Sequence, residues 1–209
     1  FFYMRECYPY LKESRGSVIN FASGAGLFGK LGQSSYAAAK EGSAILGGIS
    51  RNFNSNLSLG EGKRLVVEAD EYDRSFLHLK PYIATITSAD PDHLDIYGNK
   101  ENYLEAFAQF TEKIRPGGYL IIHEGLEVTP RTQEGVTTYV YGRDKGDFHA
   151  ENIRIGGGTI LFDYVSPWQR INDVELGVPV SINIENGITS MAMAEICGAT
   201  AEELKRGMK

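Results

Sequence analysis

RLVVEADEYDRSFLHLKPYIATITSADPDHLDIY, residues 64–97, decides the fold. Two strand-like apolar runs, 65–69 and 83–87, each lead into carboxylates. The first meets Glu68, Asp70, Glu71 and Asp73, and the second Asp90, Asp92, His93 and Asp95. Strands that empty at equivalent positions into acidic loops predict an open α/β sheet, where ligands sit in the crevice beyond the carboxyl ends of the strands. Carboxylate oxygens with one imidazole suit Mg²⁺ or Mn²⁺ holding the phosphates of a nucleotide. Either cluster alone is equally well explained as a solvated loop. The repetition at two strand ends is what favours a site.

Working outward, Tyr103, Phe107, Phe110 and Ile114 recur at helical spacing within 101–114. Arg115-Pro116-Gly117-Gly118 stops that helix before a buried strand over 119–123. From about Val136 the period falls to two. Residues 137–141 form one strand, and 152–155 and 159–165 flank Gly156-Gly157-Gly158 as a hairpin. Helical spacing returns over 184–197 with Ile188, Met191 and Ile196 inward, and Thr200 opens a last helix with Glu203 placed for a capping box. Upstream, 1–15 read as a helix, 17–23 as a strand, 24–34 as a glycine-rich loop and 35–46 as a helix, with Gly47-Gly48 turning the chain onward. The expected fold is α/β: one three-layer domain over 1–209, with a mostly parallel Rossmann-like or P-loop-like sheet and an antiparallel β flank in the C-terminal third.

Composition narrows the function classes. At 209 residues the chain can bury the core of one large domain. A net charge of −6 and a pI near 5.3 argue against nucleic-acid partners and offer no basic stripe to an anionic membrane. Its two cysteines, Cys7 and Cys197, form neither a metal-binding pair nor a disulfide framework and read as buried thiols in a reducing compartment, so a cytoplasmic location is expected. His78, His123 and His149 lack a convergent partner in sequence and read as structural or solvent-facing, and Trp168 beside Pro167 reads as a hairpin cover.

VVEADEYDRSFLHL followed by ITSADPDHLDIYG resembles the ATP-binding central domain of the Mur ligases, and within them the branch that joins L-alanine to UDP-N-acetylmuramate. The resemblance runs over 43–209. It implies ATP-dependent amide-bond formation in peptidoglycan precursor synthesis, with Glu68 and His93 binding the Mg²⁺ ions that bridge ATP and the acyl-phosphate. PVSINIENGITSMAMA is similar to the family's P-G-x-H-N-x-x-N segment, which implies adenine contact by Asn183 with Asn186 as the second Asn; Ile182 and Val180 stand where that segment has His and Gly. The P-loop expected upstream is absent: Gly29-Lys30 is followed by Leu31, with no hydroxyl to reach a metal. Mg²⁺ and ATP are therefore expected to bind weakly or not at all, without ligase turnover.

Residues 1–42 instead carry SVINFASGAGLFGKLGQSSYAAAKEG, which resembles the catalytic segment of short-chain dehydrogenases/reductases. Ser23 precedes Tyr36 at that family's spacing, and Tyr36 and Lys40 form Y-x-x-x-K. On a helix, i and i+4 side chains face the same way, so the ammonium lowers the phenol pKa from about 10 and arms Tyr36 as acid or base. The dinucleotide fingerprint is missing, so these three residues are expected to be vestigial and NAD(P) not to bind. The chain thus reads as an engineered chimera, joined near 40–43, binding at most a small-molecule nucleotide and existing as a monomer or homodimer. A recombined fold with no ligand function, and an oxidoreductase, are the alternatives.

Overall fold

A computed structural model describes residues 17–22, 43–50, 54–60, 63–91, 94–177 and 180–209, with the backbone alone for 17–22 and for residue 50. The expected helices over 1–15 and 35–42 and the loop 24–34 lie outside the described residues.

Seven strands form the main sheet: β1 (Ser17–Ala22), β2 (Ser43–Ser50), β3 (Ser55–Ser58), β4 (Arg64–Ala69), β5 (Ile83–Ile86), β6 (Tyr119–His123) and β7 (Thr137–Tyr141). Their spatial order is β3-β2-β4-β1-β5-β6-β7, and every pair is parallel except β2 with β3. β8 (His149–Gly156), β9 (Thr159–Val165) and β10 (Arg170–Leu176) form a separate antiparallel sheet. The helices are α1 (Leu94–Tyr97), α2 (Lys100–Glu112), α3 (Ile182–Ile196) and α4 (Ala201–Met208), with a short 3₁₀ segment at Tyr72–His78. The mostly parallel three-layer α/β architecture with an antiparallel flank is therefore the one observed.

Strand period two sorts the main sheet's side chains onto two faces. Ala84, Ile86, Leu120 and Ile122 meet α1, α2 and the 3₁₀ segment in one apolar cluster. There Tyr103, Phe107, Phe110 and Ile114 are completely buried, so the helical stripe is the inward face of α2. Ring centroids 5.2 Å apart for Phe76 and Phe107 and 5.0 Å for Tyr103 and Phe107 tie the cluster together. On the other face Val66, Ile83, Ile121 and Tyr141 share a cluster with Ile184, Ile188 and Met191 of α3 and with Phe162, Tyr164 and Val174 of the antiparallel sheet.

Local signals hold where they rest on backbone chemistry. The β8–β9 hairpin turns on Gly157 and Gly158, both at positive φ (58° and 80°), as a two-residue turn matched to strand twist requires. Arg115 O accepts from Gly118 N–H at 2.9 Å, and Gly117 at φ 77° supplies the left-handed residue after Pro116. Thr200 and Glu203 form the expected capping box on α4. Trp168 covers the β9–β10 hairpin, packing on Tyr139 and Phe148 at 5.7 and 5.8 Å.

Three expectations are corrected. Residues 43–46 are not the end of a helix: Ser43, Ala44 and Ile45 pair in parallel with Leu65, Val66 and Val67, and Gly47-Gly48 continue β2 instead of turning. A ladder beside a buried strand outweighs the weak helix preference of a segment containing two glycines. β7 does not belong to the antiparallel flank but extends the main sheet in parallel from β6, because the segment between them is long enough for a crossover. β10, unforeseen in sequence, completes the flank.

Candidate functional site

The carboxyl ends of β4, β1, β5, β6 and β7 line up at one edge of the sheet. Phe21 of β1 is level with Glu68 on one side and Thr85 on the other, and His123 of β6 with Tyr141 of β7. Period two places Glu68 with Val66, Thr85 with Ile83, and His123 with Ile121, all toward α3. A row of polar side chains thus follows the apolar ones where the strands end, and His123 of that row meets Glu185 in the first turn of α3.

Glu68 is half-buried, and its Oε2 accepts the Gly47 N–H at 2.9 Å. Gly47 has to be small here: a Cβ would sit 3.2 Å from Oε1 and 3.3 Å from the carboxyl carbon. No other hydrogen bond to that carboxylate is present among the described residues, so it retains lone pairs for further ligands. Oxygen of this kind fits a hard divalent cation that keeps waters or phosphate oxygens as its remaining ligands. Among the described residues no group of three or more His, Cys, Asp and Glu is placed to hold a metal. His93 and Asp92 lie outside them, as do Ser23, Tyr36 and Lys40, the expected dehydrogenase-like residues.

Three other members of the two acidic clusters are engaged locally. Asp70 Oδ1 accepts the Tyr72 N–H at 2.9 Å, closing a turn, and Asp90 Oδ2 accepts the Ser88 hydroxyl at 2.9 Å. Glu71 is buried, and its carbonyl takes the Tyr97 hydroxyl at 2.5 Å. Burial, then the Glu71 charge, pushes the Tyr97 phenol up to about 12, while the Arg74 guanidinium lies 5.2 Å over its ring. Asp73 and Arg74 hold left-handed φ of 51° and 56°, a strained turn packed against Tyr97.

Asn183 and Asn186 come together on the first turn of α3, with Asn186 Nδ2 donating to Asn183 Oδ1 at 3.4 Å. Glu185, between them in sequence, reaches the sheet: its Oε1 lies 3.4 Å from His123 Nε2. His123 stands edge-on to Tyr141 at 5.0 Å. Burial first and the Glu185 charge second keep the Tyr141 phenol protonated. The Thr85 hydroxyl is buried and has no hydrogen-bond partner among the described residues. His123 was read from sequence as structural. Its place at the last residue of a buried parallel strand was the signal that could have marked it. His149 is structural, its Nδ1 lying 2.9 Å from the Gly146 carbonyl.

A family model described as the Mur ligase middle domain matches residues 52–194 of this chain. The chain belongs to the Mur ligase family. Curated relatives include the UDP-N-acetylmuramate--L-alanine ligase of Phocaeicola vulgatus, 59% identical over 79% of this chain and 36% of that protein. The corresponding ligase of Parabacteroides distasonis is 53% identical over 94% of this chain and 43% of its own length. The chain therefore spans about two fifths of the curated relatives it matches. Coverage of 94% also reaches into residues before Ser43, so the comparison does not set the first 42 apart as foreign, and nothing in it supports a dehydrogenase-like segment. The fold is that of the UDP-N-acetylmuramate-alanine ligase of Thermotoga maritima, with TM-score 0.77 at 20% identity over 98% of this chain and 47% of that one. It also matches the MurF ligase of Thermotoga maritima, solved in complex with ADP, with TM-score 0.73 at 14% identity over 96% of this chain and 50% of that one. No helix among the described residues of this Mur ligase family member is long and apolar enough to cross a membrane.

Proposed function

We propose that this chain is the nucleotide-binding region of a UDP-N-acetylmuramate:L-alanine-type ligase whose phosphate grip is weakened and which does not complete ligation by itself. The observation that supports the reading is that Glu68 stands near the carboxyl end of a parallel strand and the Asn183–Asn186 pair opens the helix that packs on the same sheet. Glu68, with His93 by resemblance, would hold Mg²⁺, which when bound neutralises phosphate charge. Asn183 would read the base. UDP-N-acetylmuramate and L-alanine would be substrates of a longer protein containing this region.

Weakness follows from residues 17–42. The strand β1 occupies the central position from which a phosphate loop would spring, but the chain after it offers Gly29-Lys30-Leu31 in place of glycine, lysine and a hydroxyl. We read this unit as an exchange for one of dehydrogenase type, and Ser23, Tyr36 and Lys40 as vestiges without NAD(P). Titration of the whole chain with ATP and Mg²⁺ is expected to give a dissociation constant of about a millimolar. Ligand at tenfold that concentration raises the unfolding free energy by about 1.4 kcal/mol. Glu68→Ala removes the Mg²⁺-dependent part and Asn183→Ala weakens ATP and ADP alike. Submicromolar ATP affinity, or a Mg²⁺-ATP response that survives Glu68→Ala, would overturn the reading.

Gly47→Ala probes the same carboxylate without touching its charge. The methyl group displaces Glu68 by a few tenths of an ångström, so Mn²⁺ affinity read by electron paramagnetic resonance is expected to fall about three- to tenfold. Thermal stability stays within about 1 kcal/mol, since alanine is the better strand residue. Equal Mn²⁺ affinity in the two proteins would show that this contact does not orient the carboxylate.

A further inference from the structure

We infer that His123 is a positioning residue for the base end of the crevice, pinning the first turn of α3 through Glu185. This rests on the nucleotide reading for its purpose, but its geometry stands apart from it. The start of α3 lacks the side-chain cap that ordinarily fixes a helix entry: Ser181 is itself helical, at φ −54° and ψ −38°, and makes no capping bond. The entry is held by tight backbone bonds, from Asn183 N–H to the Val180 carbonyl at 2.9 Å and from Ile184 N–H to the Ser181 carbonyl at 3.1 Å.

Ile182 and Val180 contribute little, being 56% and 52% exposed, so among the described residues of this turn the apolar hold comes from Ile184. Among the described residues a polar link also ties this turn to the main sheet, His123 Nε2 donating to Glu185 Oε1 at 3.4 Å. Both side chains are about three-quarters shielded, at 23% and 26% exposure, which preserves the bond against competing water. Glu185 is also a carboxylate in a first helical turn, where the helix dipole favours it. Asn183 and Asn186, three residues apart, share the neighbouring face, so the angle at which Glu185 is held sets where the two amides point. Tyr141 backs the imidazole edge-on and limits its rotation.

The test is hydrogen exchange on the whole chain without ligand. His123→Ala is expected to speed exchange at the amides of residues 184–186 about fivefold, the loss of one net hydrogen bond. His123→Gln, which keeps a donor, is expected to restore the wild-type rate, and amides of β8, β9 and β10 remain unmoved in both. Glu185→Ala should reproduce the acceleration, and the double variant should add nothing to it. Unchanged rates at 184–186 in both single variants overturn the inference, as does failure of His123→Gln to rescue. ADP is then added to wild type while the side-chain amide resonances of Asn183 and Asn186 are followed. If they do not move, the nucleotide reading fails, whereas the pinning is decided by the exchange rates.

Discussion

Phe107→Ala is expected to lower the unfolding free energy by about 3–5 kcal/mol, the largest effect of any single change considered. The ring is completely buried between Phe76 and Tyr103, at 5.2 and 5.0 Å between centroids, and sits on α2 where the helix meets Leu120 and Ile122 of the sheet. Truncation removes its transfer free energy and leaves a cavity that a rigid helix on a rigid sheet cannot close. A domain with about 5–15 kcal/mol in total would lose a large fraction of it. Urea unfolding should show the midpoint falling with the slope unchanged. A loss below about 1 kcal/mol would mean that the aromatic cluster re-packs and that α2 is held elsewhere.

Asp163→Asn should cost about 2 kcal/mol at neutral pH and flatten the acid limb of the stability curve. Asp163 lies buried on the central strand β9, where two bulged neighbours deliver donors to it: Asn152 Nδ2 at 2.8 Å, Asp173 N–H at 3.0 Å and Arg170 at 3.0 Å, with Arg154 at 3.4 Å. Asn152 and Asp173 both hold left-handed φ, 49° and 54°, at the register shifts of β8 and β10. The Asn152 amide, then the Asp173 backbone N–H and Arg170, pull the carboxyl from 3.8 down to about 2. Because the folded value lies below the unfolded one, the stabilisation is complete above about pH 4 and is lost as pH falls through about 2. The asparagine variant has no such carboxyl to protonate. Chemical denaturation at pH 7, 4 and 2.5 decides it: a variant whose deficit is the same at all three values would show that the charge is not what Asp163 contributes.

Sequence carried the fold as far as local physics reaches. The stripe of Tyr103, Phe107, Phe110 and Ile114, the glycines of the β8–β9 hairpin and the Thr200–Glu203 box each depend on residues within a few positions of one another, and each stands as expected. β2 was misread because a strand in a parallel sheet is specified by its neighbours, and Val66 and Val67 are not local to Ala44 and Ile45. The direction of β7 was misread because alternation reports a half-buried strand without its orientation. At the site, Glu68 was legible as one of the acids ending an apolar run, while its choice among them and the Asn183–Asn186 pair came from the family resemblance and not from periodicity. His123 with Glu185 was not, since the contact joins the end of one strand to the start of a helix far along the chain, and a lone histidine has no sequence signature of its partner. Asp70 and Asp90 looked equivalent to Glu68 in sequence, but each accepts its hydrogen bond within its own turn, where Glu68 accepts from Gly47 of the neighbouring strand.

The middle of the seven-stranded sheet is occupied by a strand that precedes all of its neighbours in the chain. Val18 and Ile19 pair with Leu65 and Val66 on one side, and Ile19 and Asn20 with Ile83 and Ala84 on the other. During synthesis, or on dilution from denaturant, this apolar segment exists before either partner can reach it, and two long loops must close to seat it. The rate of folding is thus governed by topology more than by the strength of any contact. Aggregation competes in the interval when the keystone of the sheet is already made and has nothing to lean on.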